Sequence, residues 1–260
     1  MSASHRIPAI FYGHGSPMNA LEDNPYTCAW ESFGTRFPHP KAILAISAHW
    51  TTRGTAVTAM SSPKTIHDFG GFPQALFDMR YPAPGDPALA ARVAQLLAPL
   101  PVHLDQSWGL DHGTWSVLVK TYPDANIPVL QLSLDITQPP AYHFALGQKL
   151  ATLRDEGVMI IASGNVVHNL GRLDPRSKGF DWANRFNDAI RLSIQNGQFD
   201  QVVDYQSLGQ DATLSVPTSE HFLPLLYVLG ARIGDEPVEI VTEGMEMGAI
   251  SMMSVVLGGG

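Results

Sequence analysis

The sequence predicts an α/β fold: a single domain over residues 1–260, with a central, largely parallel or mixed sheet covered by helices on both faces. Three observations predict it. Short apolar runs alternate with segments of helical period, the pattern of strands joined by crossover helices. Hydrophobic residues make up 45% of the 260 residues and charged residues only 15%, enough for a substantial core. No stretch of the chain has the composition of an interdomain linker, and α/β chains of this length often stay undivided.

Taken in order, the first strand-like run is Ile7–Tyr12. Met1 to Arg6 lead straight into it without the pattern of a signal peptide. Ala42–Ser47 and Thr55–Ala59 follow. The proline-rich stretches Phe37–Pro40, Pro63–Pro73 and Tyr81–Pro87 read as ordered excursions. Asp86 and Pro87 supply an N-cap and a first-turn proline for a helix through Ala88–Leu97. Val129–Leu134 is a strand, Tyr142–Arg154 a helix, Val158–Ala162 a strand. Trp182–Ile194 has apolar residues three and four apart and stops at Asn196-Gly197. Thr218 is placed to cap a helix through Leu229 that Gly230 ends, with Pro224 bending or shortening it. Val238–Thr242 and Ile250–Val256 arrive without a helix between them, which predicts an antiparallel or mixed edge. No internal repeat is present, and the only low-complexity tract is Gly258-Gly259-Gly260.

The formal net charge of -8 opposes broad binding to nucleic acid or an anionic membrane. It leaves room for a small anionic substrate, because a local metal outweighs the global field. Cys28 is the sole cysteine, so an internal disulfide is impossible. No apolar stretch reaches the ~18 residues of a membrane span. The expectation is a cytoplasmic protein, a monomer or small homo-oligomer.

Function points to histidine. Ten histidines and one cysteine mean that any bound metal is held by imidazole and carboxylate, donors that suit zinc or non-haem Fe(II). His14 follows the first strand-like run between Gly13 and Gly15. His49 follows Ala42–Ser47, and His168 follows Val158–Ala162 after Ser163-Gly164-Asn165. Ligands of α/β sheets collect at such carboxyl ends of strands. His112 lies in G-L-D-H-G-T-W, and His221 falls in the first turn of the Thr218 helix. His67, in T-I-H-D-F-G-G-F-P, lines a substrate pocket or belongs to an ordered Ω-like loop. His5, His39, His103 and His143 read as surface or structural. The pattern G-x-S-x-G of a nucleophile elbow is absent, as are the metalloprotease helix, the phosphate loop and the dinucleotide fingerprint.

In this order, G-H-G-S-P-M-N (Gly13–Asn19), S-A-H-W (Ser47–Trp50), T-I-H-D-F-G-G-F-P (Thr65–Pro73), Y-P-A-P-G (Tyr81–Gly85), D-H-G-T-W (Asp111–Trp115), A-S-G-N-V-V-H-N (Ala162–Asn169) and E-H-F-L-P-L-L-Y (Glu220–Tyr227) resemble the DOPA 4,5-dioxygenase family. That family lies within the class III extradiol ring-cleavage dioxygenases, and the likeness runs almost end to end. The resemblance implies that His14, His49 and His221 bind the metal. It places His168 beside the metal, as acid/base or as a further ligand, and His112 in the substrate pocket. The wider class uses a glutamate as its third ligand. Here Glu220 precedes His221, and the likeness favours His221 with Glu220 supporting it or charging the helix N-terminus. The implied reaction inserts O2 into a small catechol such as DOPA, with Fe(II) for activity and Zn(II) able to occupy the same site. Two other readings fit an imidazole-rich α/β site: a zinc-dependent hydrolase, and a non-catalytic metal-binding protein like the Memo proteins.

Overall fold

Strand side chains alternate between the two faces of a sheet, and this chain is apolar on both. In β2 and β6, Leu44, Ile46, Ile160 and Ala162 enter one buried cluster, while Ile43, Ala45, Met159 and Ile161 enter another. A sheet buried on both faces needs helices on both. The structure, a computed structural model, describes residues 6–259; His5 lies outside them. In chain order its elements are β1 (Ala9–Gly13), α1 (Pro25–Arg36), β2 (Ala42–Thr52), β3 (Thr55–Thr58), α2 (Gln74–Asp78), α3 (Pro87–Leu97), β4 (Val102–Asp105), α4 (His112–Thr121), β5 (Val129–Asp135), α5 (Pro140–Leu150), β6 (Val158–Gly164), α6 (Asp181–Gln195), α7 (Phe199–Val203), α8 (Gln210–Ser215), α9 (Leu223–Gly230), β7 (Val238–Thr242), β8 (Met245–Glu246), β9 (Ile250–Ser251) and β10 (Ser254–Leu257).

The main sheet has the order β4-β3-β5-β2-β6-β1-β10-β7. Its centre, β5-β2-β6-β1, is parallel, and β10 and β7 close one side antiparallel. The mixed edge expected from the sequence is therefore present. Helices α3, α5, α6 and α9 cover one face, and α1 and α4 the other.

Capping chemistry explains where several helices begin. Asp86 accepts the Leu89 N–H at 2.9 Å, as its place before Pro87 predicts. Asn24 and Thr27 form a reciprocal capping box at the start of α1. The Asp111 side chain accepts the Thr114 N–H and so sets α4 in place.

Three expectations need correction. The helix assigned to Thr218 starts at Leu223. The Thr218 hydroxyl donates to Glu220 instead of accepting a backbone N–H, and Pro224, lacking an N–H, is tolerated only within the first turn. His221 therefore sits in a turn ahead of α9. The run Ile250–Val256 is divided: β9 pairs with β8, and the Ser251 N–H is taken by the Val167 carbonyl, so only Ser254 onward joins the main sheet. His49 does not follow its strand but lies within it, because β2 continues to Thr52.

Candidate metal centre

Five histidines named from sequence converge at the carboxyl end of the parallel strands. Each arrives by a different local device. His14 is the residue after β1, and its N–H bonds the Gly164 carbonyl at the end of β6. Asn19 clamps the His14 carbonyl at 2.9 Å. Between Ile46 and Thr51 the pairing of β2 with β5 shifts register, and His49 rides on that irregularity, out of the ladder. His112 occupies the first position of α4. His168 lies four residues past β6, its N–H held by the Ser215 carbonyl. The His221 carbonyl accepts the Asn165 N–H at 2.9 Å, which docks the turn before α9 onto β6.

Two glycines are required for this convergence. A Cβ on Gly164 would strike the His221 carbonyl, and one on Gly113 would strike Ser47 Oγ and lie 2.8 Å from His49 Cδ2. Backbone must approach that closely for the rings to meet.

Ring spacing differs among these imidazoles. A nitrogen about 2.1 Å from an ion puts its ring centre about 3.2 Å away, so two bound rings are about 4.6 Å apart at right angles and about 5.3 Å at tetrahedral angles. The centroid separations are 5.2 Å for His14–His49, 5.4 Å for His14–His221 and 5.1 Å for His49–His221. His49–His112, at 3.9 Å, and His168–His221, stacked face to face at 3.4 Å, are too close for that relation. The donor atoms form two tight groups among the described residues, His14 with His49 and His112, and His168 with Glu220 and His221. Proximity of nitrogens alone thus favours His112 over His221 as the third partner, whereas ring spacing favours His221.

The outer nitrogens are engaged. His14 Nδ1 is 2.8 Å from Ser163 Oγ, His221 Nδ1 is 3.2 Å from Glu220 Oε1, and His49 Nδ1 is 3.4 Å from Asp68 Oδ2. That leaves each Nε2 for the interior, and the Nε2 atoms of His14 and His49 face one another at 3.4 Å. Burial, and then the neighbouring imidazoles, hold His14 and His221 well below the ordinary histidine range. Burial and His112 lower His49 to about 3 against the pull of Asp68, and burial lowers His168 to about 4. Neutral rings whose inner nitrogens come together in a buried space offer the donors a metal ion takes, and they fit one.

His112 lies 3.0 Å through Nδ1 from Asp68 Oδ2. Phe69 packs on it at 5.5 Å, with Phe72, Phe77 and Trp115 behind. His67 stands apart from the cluster, on the far side of Phe69, with Nε2 3.0 Å from the Met79 carbonyl. Asp68 and Ser163 are the contributors that sequence reasoning missed. Asp68 was visible as the residue beside His67; nothing in a single sequence marks Ser163. Of the histidines read as surface or structural, His143 is fully buried against the Tyr227 hydroxyl, His39 packs on Tyr122, and His103 is exposed on β4. Among the described residues no helix is long and apolar enough to cross a membrane.

The family model described as the catalytic LigB subunit of aromatic ring-opening dioxygenase matches residues 8–258. The 4,5-DOPA dioxygenase extradiol of Escherichia coli (strain K12) is 57% identical over 262 residues, covering 98% of this chain and 96% of its own. The protein of the same name from Beta vulgaris is 39% identical, covering 93% of each chain. A crystal structure of an Escherichia coli K12 protein described as uncharacterized superposes with a TM-score of 0.85 at 50% identity, covering 97% of this chain and all of that one. The chain therefore belongs to the family of catalytic LigB subunits of aromatic ring-opening dioxygenases, and is a ring-opening dioxygenase with a histidine-lined metal site.

Proposed function

We propose that this protein opens the ring of a small catechol by extradiol cleavage, with DOPA as the first substrate to test and both atoms of O2 entering the product. The observation that carries the reading is the set of three ring separations among His14, His49 and His221, all between 5.1 and 5.4 Å. These three residues would hold the metal through Nε2. Fe(II), when bound, supplies an acidifying charge for the catechol hydroxyls and the redox chemistry that O2 requires; Zn(II) suits the same donors without that redox chemistry.

The chain's own residues then do three things. Phe69 and Phe72, backed by the buried Trp115, exclude water and offer faces to a flat ring. His168 takes the catechol proton on a ring nitrogen and later returns it. Its ring makes no protein hydrogen bond among the described residues, and it is neutral near pH 7, with its pKa lowered to about 4 by burial. His112 orients the substrate oxygen through Nε2, since its Nδ1 faces Asp68. His67, one ring removed, shapes the loop that carries Asp68 and Phe69 and lines the approach for substrate. We place these groups in one catalytic domain over residues 1–260.

One anaerobic experiment tests the proposal. Apoprotein is loaded with Fe(II), DOPA is added, and air is then admitted. A yellow semialdehyde with stoichiometric O2 uptake is expected, and the Zn(II)-loaded protein should stay silent. Hydrolysis without O2 uptake would favour a zinc hydrolase, and no turnover of any catechol would overturn the catalytic reading.

A further inference from the structure

Asp68 touches two of the five histidines at once. Its Oδ1 accepts the backbone N–H of His112 at 2.9 Å. Its Oδ2 lies 3.0 Å from His112 Nδ1 and 3.4 Å from His49 Nδ1. The side chain is 19% exposed and so largely covered. One oxygen is therefore shared by two rings whose centroids are 3.9 Å apart.

We propose that Asp68 is a positioning residue that fixes the tautomer and aim of His49 and His112 together. His112 Nδ1 is not aligned on Asp68 as a hydrogen bond, but a carboxylate charge 3.0 Å from one Nδ1 and 3.4 Å from the other repels a ring lone pair there and favours the proton on that nitrogen. Both Nδ1 atoms are then protonated and both Nε2 atoms are bare. His49 thereby presents a lone pair to the metal, and His112 presents one to the substrate. A single side chain sets the two halves of the site, one for metal and one for substrate, and it does so from the loop that also carries the aromatic wall.

The bland alternative is that Asp68 merely ties its loop to the start of α4 through the His112 N–H. Asp68→Asn separates the two roles. The amide oxygen still accepts that N–H, but the amide nitrogen now faces the rings as a donor. It favours the opposite tautomer, with Nε2 protonated and unable to ligate.

The inference rests on the proposed function in taking His49 as a ligand, so the test includes His49→Ala. Zn(II) affinity of each apoprotein is measured by competition with a chromogenic chelator, alongside its thermal midpoint. Asp68→Asn is expected to bind Zn(II) about 10–100-fold more weakly, with an unchanged midpoint. If Asp68→Asn binds as the parent does while His49→Ala has lost affinity, the positioning role is wrong and the metal reading stands. If His49→Ala binds as the parent does, the metal reading fails and the inference with it. Should Asp68→Asn not fold, long-range proton–nitrogen correlation spectra of the Zn(II)-loaded parent decide the matter: protonated Nδ1 on both His49 and His112 is expected, and a bare Nδ1 on either overturns the proposal.

Discussion

Gly113→Ala sets two physical effects against each other. Gly113 is the second residue of α4, and on helix propensity alone alanine should stabilise by up to about 1 kcal/mol. The new methyl, however, would overlap Ser47 Oγ and come within 2.8 Å of His49 Cδ2. Ser47 cannot simply rotate away, because its hydroxyl accepts the His49 N–H at 3.2 Å. The His49 ring must move instead. Overpacking of this kind costs roughly 1–3 kcal/mol, so the net effect is a loss of about 1 kcal/mol. For a chain of this size that lowers the melting temperature by about 2–4 °C. The larger consequence falls on metal binding, since His49 is displaced from the position its spacing to His14 and His221 requires. Calorimetric melting of the apoprotein and chelator competition for Zn(II) measure the two effects separately. A variant that melts at or above the parent and binds Zn(II) equally well would refute the claim that close backbone approach at Gly113 builds the site.

Two further outcomes follow from buried charge. His143 and His168 are lowered to about 4, and His49 to about 3, so the folded apoprotein resists protons that an unfolded histidine takes up below pH ~6.5. Stability falls as pH drops through that window, by about 2 kcal/mol per ring at pH 5. Asp111, raised to about 6 by burial and then Asp68, works in the opposite direction and offsets about 1 kcal/mol. Urea unfolding of apoprotein should therefore give a clear net loss between pH 7 and pH 5, and equal stabilities would contradict the neutral-imidazole picture. Separately, Arg154 is wholly buried and bonds the carbonyls of Ile7, Ala231 and Leu257 together with Glu236. Glu236→Ala strands that charge and should cost about 3–5 kcal/mol in urea unfolding, whereas a loss below 1 kcal/mol would mean solvent reaches the guanidinium.

What was legible in the sequence was whatever a periodic pattern or a cap could carry. The central strands are buried on both faces and read as continuous apolar runs. Asp86-Pro87 and Asn196-Gly197 marked helix ends by chemistry local to them. Helix α4 was invisible for the opposite reason: it is buried nearly all round, so it has no amphipathic face to detect. Strand β4 was lost because it is an edge strand, half exposed and only four residues long. The Thr218 helix was misjudged because a threonine in capping position can spend its hydroxyl on a carboxylate two residues away. Such choices are settled by tertiary contacts, which a single sequence does not display.

The same limit explains the site. His14, His112 and His168 could be found from their neighbourhoods, because a glycine or asparagine stands next to each, whereas His49 and His221 have no such neighbour. Which ring faces which could not, since that depends on Asp68 and Ser163 meeting Nδ1 atoms from other segments. Those outer partners are what make the cluster coherent. Five imidazoles in one buried volume would repel strongly if charged, and burial alone leaves them neutral but free to adopt either tautomer. The carboxylates of Asp68 and Glu220 beside the outer nitrogens of His49 and His221 remove that freedom for two rings, and the Ser163 hydroxyl, able to donate or accept, holds the His14 ring in place. Bare inner nitrogens are then turned toward one buried space, where a cation finds its donors already aimed.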